Sequence, residues 1–388
     1  MKLLLSIALV ASLAQAESFE TFLDTALQTS PYLESNRLNI EQSNVQARLT
    51  QRYKNPSLEL ELSNFSTDAD GNKGGYRAGL SQPLRLWGVG DDRKTLATAQ
   101  KAEAQSFVKL NRANIVLSTS RAYSRYKYAL AREALREEEL EISQTILDIS
   151  RARFDNGTIA RVKFMQAEVD VHRGENRLNR AKVERLSSYY QLLATAGVTE
   201  TPSIDDGYEF KLALHEDATD AASLLYVKSK RASAVAKAKL NANRLEWVNL
   251  YGEFEKEPDQ KIARVGVSIP LILFNAKREE KKIAQIEAKK RELQAKNMDN
   301  SLRMRLKKIE TSIEALKRLE QSTAKLLQSQ EKLLAMYRDG YKIANINLVE
   351  LQSIKNQMIQ TKADSLEIRY SKEQNIIQYN FLVGEYNE

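Results

Sequence analysis

Side chains able to carry chemistry are scarce in this sequence of 388 residues. It has no cysteine, which excludes thiol catalysis, disulfides and cysteine-ligated zinc or iron–sulfur centres. Its two histidines, His172 and His215, stand far apart with no ligand at helical spacing, and its six methionines are scattered, so each histidine reads as a surface residue and no metal site is expected. Gly71, Gly74 and Gly75 are spaced for a turn, and the lone G-V-G at Gly88–Gly90 lacks the rest of a dinucleotide fingerprint. No nucleophile is placed with a base. The chain therefore reads as a non-enzyme with no cofactor. Its formal charge of +8 is spread along helical faces, so nucleic acid is not an expected partner.

What the sequence offers instead is a repeated architecture. Residues Arg77 to Trp87 read R-A-G-L-S-Q-P-L-R-L-W, and Arg264 to Phe274, 187 positions later, read R-V-G-V-S-I-P-L-I-L-F. Each copy alternates like a strand, stops at a proline (Pro83, Pro270) and leads through an aromatic residue into a run without Gly or Pro, over 91–156 and 275–339. Residues 1–16 carry an apolar run from Leu3 to Leu13 and end in Ala14-Gln15-Ala16, the pattern of an export signal, with the mature chain starting near Glu17.

The mature chain divides into a first repeat over 17–202, a linker over 203–217 and a second repeat over 218–388. Ser18 is placed to cap a short helix bearing Phe19, Phe22, Leu23 and Leu27 on one face, and Pro31 opens a second helix. Leu58, Leu60 and Leu62 then alternate with Glu59, Glu61 and Ser63, and the chain returns through Tyr76, Ala78 and Leu80. This is a hairpin over 57–86, with strands over 57–66 and 75–86 flanking a polar loop. A second hairpin spans 248–270 with a shorter turn at 256–260. Strands of about ten residues are long enough to cross a membrane when tilted.

Long helices over 91–156 and 161–196 follow the first hairpin, and helices over 275–339 and 345–383 follow the second. A helix of this length is on the order of 100 Å long and must pack side by side with others. Leu316, Leu319, Thr323, Leu326, Gln330, Leu333 and Tyr337 have the 3-4 spacing of a coiled-coil seam. Phe154-Asp155-Asn156-Gly157-Thr158 and Tyr337-Arg338-Asp339-Gly340-Tyr341 read as turns between antiparallel helices, each with its glycine in the left-handed cap position. The exposed Asp155, Arg338 and Asp339 make these turns candidates for a docking tip.

Four strands cannot close a barrel, and an open strand edge in lipid costs several kcal/mol per unpaired group. If the hairpins lie in a membrane the chain must oligomerise. Two copies are the floor, and three, giving twelve strands, are permitted. Trp87, Trp247, Tyr251 and Phe274 at the strand–helix end, with Phe65 and Tyr76 at the loop end, read as two membrane-interface belts. The other reading of these aromatics is that they cap a soluble sheet.

The export signal, the two copies of helix–hairpin–long helix–turn–helix, the R-x-G-x-S-x-P-L junctions and the F/Y-x-x-G tips resemble the TolC-like outer-membrane efflux protein family over the whole mature chain. The P-L-x-L-W-G and P-L-x-L-F-N junctions are most similar to its heavy-metal and cation branch. The resemblance implies a mainly α fold with a membrane β-barrel: a homotrimer with a twelve-stranded barrel in the Gram-negative outer membrane and an α-helical barrel in the periplasm. Its partners would be outer-membrane lipid, a periplasmic adaptor protein and an inner-membrane efflux pump. The tips, at Asp155, Gly157, Thr158, Arg338, Asp339, Gly340 and Tyr341, would meet the adaptor. A basic residue two positions past the second tip glycine, then acidic rings, would form the pore constriction. Lys342 matches the basic position; Asn347 and Glu350 stand at the acidic ones, one residue late, and Asn347 lacks the charge. The competing architecture is a periplasmic coiled-coil scaffold or adaptor without a barrel, which gives no reason for two amphipathic hairpins.

Overall fold

The structure is a computed structural model describing residues 17–67, 71–214, 221–274 and 276–387. The export signal over 1–16, loop residues 68–70, His215 with the end of the linker, and Asn275 lie outside the described residues. In chain order the elements are α1 (Phe19–Thr29), α2 (Pro31–Gln51), β1 (Ser57–Thr67), β2 (Gly71–Arg85), α3 (Val89–Asp155), α4 (Arg161–Ala196), α5 (Ala222–Asn241), β3 (Trp247–Lys256), β4 (Lys261–Ser268), α6 (Arg278–Lys342) and α7 (Leu348–Val383). No described helix is long and apolar enough to cross a membrane.

Two compact units are present, one drawn from Met1–Leu33, Asn111–Ala221 and Leu302–Glu388, the other from Glu34–Leu110 and Ala222–Ser301. Each takes part of both repeats, so the duplication does not coincide with the compact units. The second unit holds the sheet and a small helical core of Val89, Leu96, Ala236 and Leu240.

The first unit is helical. Ser18 caps α1, its Oγ accepting from the Thr21 backbone N–H at 3.2 Å, and the helix buries Phe19, Phe22 and Ala26 against Tyr123, Leu192 and Ile377. Full burial of one such aromatic stabilises by about 1.5–3 kcal/mol. Linker residues join this core. Ile204 and Phe210 are buried in it, Glu17 pairs with Ile204 in an isolated bridge, and the Tyr123 hydroxyl donates to the Asp205 carbonyl at 2.8 Å. Burial pushes the Tyr123 hydroxyl well above the ordinary phenol range.

α4 and α7 show how closely the duplication is kept. Each has 36 residues, and they end on Gly197 and Gly384, both left-handed and 187 positions apart in the sequence. The turns before them follow the same offset, which corrects one expectation. Gly157 is left-handed at φ +70°, with its N–H on the Phe154 carbonyl and the Thr158 N–H on that of Arg153. In the second turn these hydrogen bonds run from Ala344 to Tyr341 and from Asn345 to Gly340. The left-handed residue is therefore Ala344, φ +66°, and Gly340 is helical. Gly340 serves close approach, since a Cβ there would lie 2.6 Å from Ile346 Cδ1. An alanine in this backbone region is strained by roughly 1 kcal/mol. Ala344→Gly should accordingly raise the thermal midpoint, by about 1 kcal/mol of stability; an unchanged or lower midpoint would mean that residue 344 is not left-handed in solution.

The seam on α6 is also displaced. Leu316, Thr323, Gln330 and Tyr337 are half-buried as expected, but the alternate rungs are Glu320, Leu327 and Leu334. Leu327 and Leu334 pack with Leu135, Met358 and Ile359, whereas Leu319, Leu326 and Leu333 remain exposed. The 3-4 spacing admits either set of rungs, and the contact with α7 selects one.

Candidate functional site

β1 to β4 form one antiparallel sheet in sequence order, so the hairpins join through β2–β3 and leave β1 and β4 as edges. The register sorts the sheet into two faces, because residues paired across strands share a face. One face carries the rows Leu58–Leu80–Gly252–Val265 and Leu60–Ala78–Phe254–Ala263, flanked by Gln82–Leu250–Val267. It is uncovered in the single chain, with Leu62 88% and Val265 84% exposed. The other face carries Glu59–Gly79–Glu253–Arg264 and Glu61–Arg77–Glu255–Ile262. Arg77 pairs there with Glu61 and Glu253, and Arg264 with Glu253 and with Glu255 at 2.6 Å. These rows hold four carboxylates against two guanidiniums. A sheet with one dry face, one charged face and two open edges suits a barrel wall between lipid and a polar lumen.

The register divides the expected aromatic belts. Trp87 and Phe274 are essentially fully exposed, and Tyr76 lies on the apolar face, 6.3 Å from Phe254. Phe65, Tyr251 and Trp247 fall on the charged face instead, because each is an odd number of residues from the leucine series on its own strand. Phe65 packs over Gly75 and Tyr251 over Gly266, where a Cβ would meet each ring at under 3 Å. Trp247 stands among cations, with Lys54, Arg85 and Arg93 within 5.7 Å of its ring centroid.

That cation–π cluster ties the strands to the helices of their own unit. Arg85 donates to the carbonyls of Gln51 and Arg52, and Arg93 to that of Thr50. These are the free carbonyls at the end of α2, where cations are favoured. Arg93 also meets Glu246 at 2.7 Å and Lys277 meets it at 3.2 Å. Burial opposes ionisation of Glu246, but its hydrogen bonds from Arg93 and Lys277 hold the carboxyl below the usual range.

At the tips, Asp155, Gly157, Thr158, Arg338 and Asp339 are exposed as expected. Tyr341 is not. It is buried, its hydroxyl 2.9 Å from Ser150 Oγ and its carbonyl accepting from Arg153 at 2.8 Å, with the guanidinium over its ring. The four-residue displacement of the turn explains this, since Tyr341 takes the place of Phe154 rather than an exposed position. Among the constriction residues, Lys342 is exposed and pairs with Asp339 at 3.4 Å. Asn347 caps α7, its Oδ1 accepting from the Glu350 N–H at 3.0 Å, and the Glu350 side chain is exposed.

Sequence reasoning missed the buried charges that join α3, α4 and α7. Lys355 is fully buried, donating to Ser143 Oγ at 2.9 Å and pairing with Asp170. Glu139, also buried, meets Arg136 at 2.6 Å and Arg177. Their only signal was a lysine and a glutamate on the inner stripes of long helices. His172 is exposed beside Glu175, and no cluster of three metal-ligating side chains occurs among the described residues.

Whole-chain comparison agrees with this geometry. The chain superimposes on the transmembrane channel CusC at a TM-score of 0.77, with 16% identity over 96% of this chain and 95% of that one. It matches the outer-membrane channel OprN at 0.79, with 11% identity over 95% and 91%. The outer membrane protein VceC of Vibrio cholerae matches at 0.77, with 14% identity over 94% and 96%. The fold is that of the TolC-like channels, trimers in which a β-barrel continues into a helical tunnel. Residues 22–198 match the profile "Outer membrane efflux protein", and a nickel-cobalt-cadmium resistance protein, NccC, of Alcaligenes xylosoxydans xylosoxydans is 23% identical over 189 residues, 48% of this chain and 43% of that relative's own length. The chain thus shares its fold with outer-membrane channels over nearly its whole length, and residues 22–198 resemble the outer membrane efflux protein family.

Proposed function

We propose that three copies of this chain form the exit duct of a tripartite efflux system, receiving substrate from an inner-membrane pump through a periplasmic adaptor and releasing it outside the cell. The observation that carries this reading is the pair of open edges, β1 and β4, on a sheet whose apolar face is bare. Each edge group left unpaired in lipid costs several kcal/mol, and neighbouring copies remove that cost. The duplication also specifies how they pair. β2 and β4 correspond at the 187-residue offset, which puts Leu58, Leu60 and Leu62 in the places of Leu250, Gly252 and Phe254. Carrying the β2–β3 register across to the open edges pairs Val265 with Leu62, Val267 with Leu60 and Ser268 with Glu59 of the next copy, and every pair shares a face. Because the chain has no cysteine, Ser268→Cys with Glu59→Cys should give disulfide-linked trimers on a non-reducing gel, while Ser268→Cys with Glu61→Cys should not. Linked dimers alone, or no linkage in any neighbouring register, would overturn the closed barrel.

The exposed tip residues Asp155, Arg338 and Asp339 are the proposed adaptor contact, with Tyr341 holding the second tip from inside. Reversing Asp155 and Asp339 to arginine should reduce export in cells at least about tenfold, the scale of two lost charge contacts, with the trimer band unchanged. Export at the wild-type level would move the contact elsewhere. The excess of carboxylates on the charged face, Glu350 near the second turn and the similarity to NccC favour cations as cargo.

A further inference from the structure

Arg77 and Arg264 on the charged face each meet carboxylates, but two strand lysines on the apolar face meet none among the described residues. Lys256 and Lys261 are paired directly opposite each other across β3–β4, and Tyr76 and Leu62 complete their row. Both are exposed, and neither meets an acidic side chain among the described residues. Like charges placed opposite one another on a strand pair are destabilising. The row also marks a border. Below it the same face reads Leu60–Ala78–Phe254–Ala263; above it only the first hairpin continues, through Asn64–Gly74 and Ser66–Asn72.

We propose that this row binds a phosphorylated, multiply acylated glycolipid of the outer leaflet, with a phosphate between Lys256 and Lys261. The acyl chains then lie along Leu60, Leu62 and Phe254, and the sugar meets Tyr76 and the polar rows above. The phosphate relieves the repulsion of the two ammonium groups, and the sharp change from apolar to polar rows fits an amphiphile better than a soluble anion. An acidic protein would not need the apolar strip below the lysines. The inference rests on the outer-membrane reading with the hairpin turns facing outward.

The test is native mass spectrometry of the detergent-purified trimer with three probes: bisphosphorylated hexa-acyl lipid A, its monophosphoryl form and phosphatidylglycerol. The trimer should retain the bisphosphorylated lipid preferentially. K256Q/K261Q should lower retention about tenfold or more, from the loss of two charges near a phosphate, and K256R/K261R should preserve it. Equal retention by the glutamine variant, or phosphatidylglycerol retained as well as lipid A, would overturn the site. An epitope inserted between Asn72 and Lys73 separates the two ideas. If intact cells display it and the lysines prove irrelevant, only the lipid site falls; if it appears only after permeabilisation, the orientation itself falls.

Discussion

Lys355→Ala is expected to destabilise the helical unit by about 3–5 kcal/mol, because it strands the Asp170 carboxylate in a largely water-free contact without its partner. The ammonium group reaches no solvent, and both of its partners, Ser143 and Asp170, are remote in sequence. Replacing both members of the pair, with Lys355→Met and Asp170→Leu, should recover most of the loss, since a packed apolar pair of similar volume does not require charge desolvation. Thermal unfolding of the detergent-solubilised trimer, followed by helical circular dichroism, reads both outcomes. A loss under about 1 kcal/mol for the single variant would mean that Lys355 reaches water, because stranded buried charges cost several times that.

Neutralising Glu59, Glu61, Glu253 and Glu255 together should change the sign of the reversal potential of the purified trimer in a salt gradient. The two charged rows of that face would then retain only Arg77 and Arg264, and fixed charge along a narrow aqueous path selects the oppositely charged ion. The glutamines are close in size to the glutamates, so the barrel itself is expected to assemble. Glu350→Gln provides the comparison for the proposed constriction: it should leave the reversal potential nearly as it was and weaken block by divalent cations. An unchanged sign in the quadruple variant would mean that the selecting charges lie outside the barrel.

Much of this molecule is legible in its sequence because the duplication presents every element twice. α4 lies at the expected residues, both hairpins form where the leucines alternate with polar residues, and Ser18 caps α1 as its position predicts. Departures from expectation occur where a single landmark residue carries two compatible meanings. Gly340 stood where a cap glycine was anticipated, but an alanine can take the left-handed conformation at a tolerable cost, and the glycine was needed for clearance from Ile346. Trp247, Tyr251 and Phe65 lie near the strand ends, as a belt requires, but the face of the sheet is decided by odd or even position. Lys355 and Glu139 could not be recognised as buried, because the partners that make their burial tolerable come from other helices. The polar loop also misled: pairing continues to Thr67–Gly71, since backbone hydrogen bonds in a ladder require no apolar side chains.

The unequal hairpins bear on how the cell surface meets this protein. β1–β2 keeps pairing for five rows beyond the last row shared by all four strands, from Ser63–Gly75 to Thr67–Gly71, while β3–β4 turns immediately after Lys256–Lys261. In the proposed trimer, with the turns facing outward, that inequality would make a crenellated rim, with three tall merlons and three low saddles. Antibodies and bacteriophage would touch the merlons first. Their sequence would then be free to drift under that pressure, while the saddles, lying at the level of the lipid headgroups, would escape it.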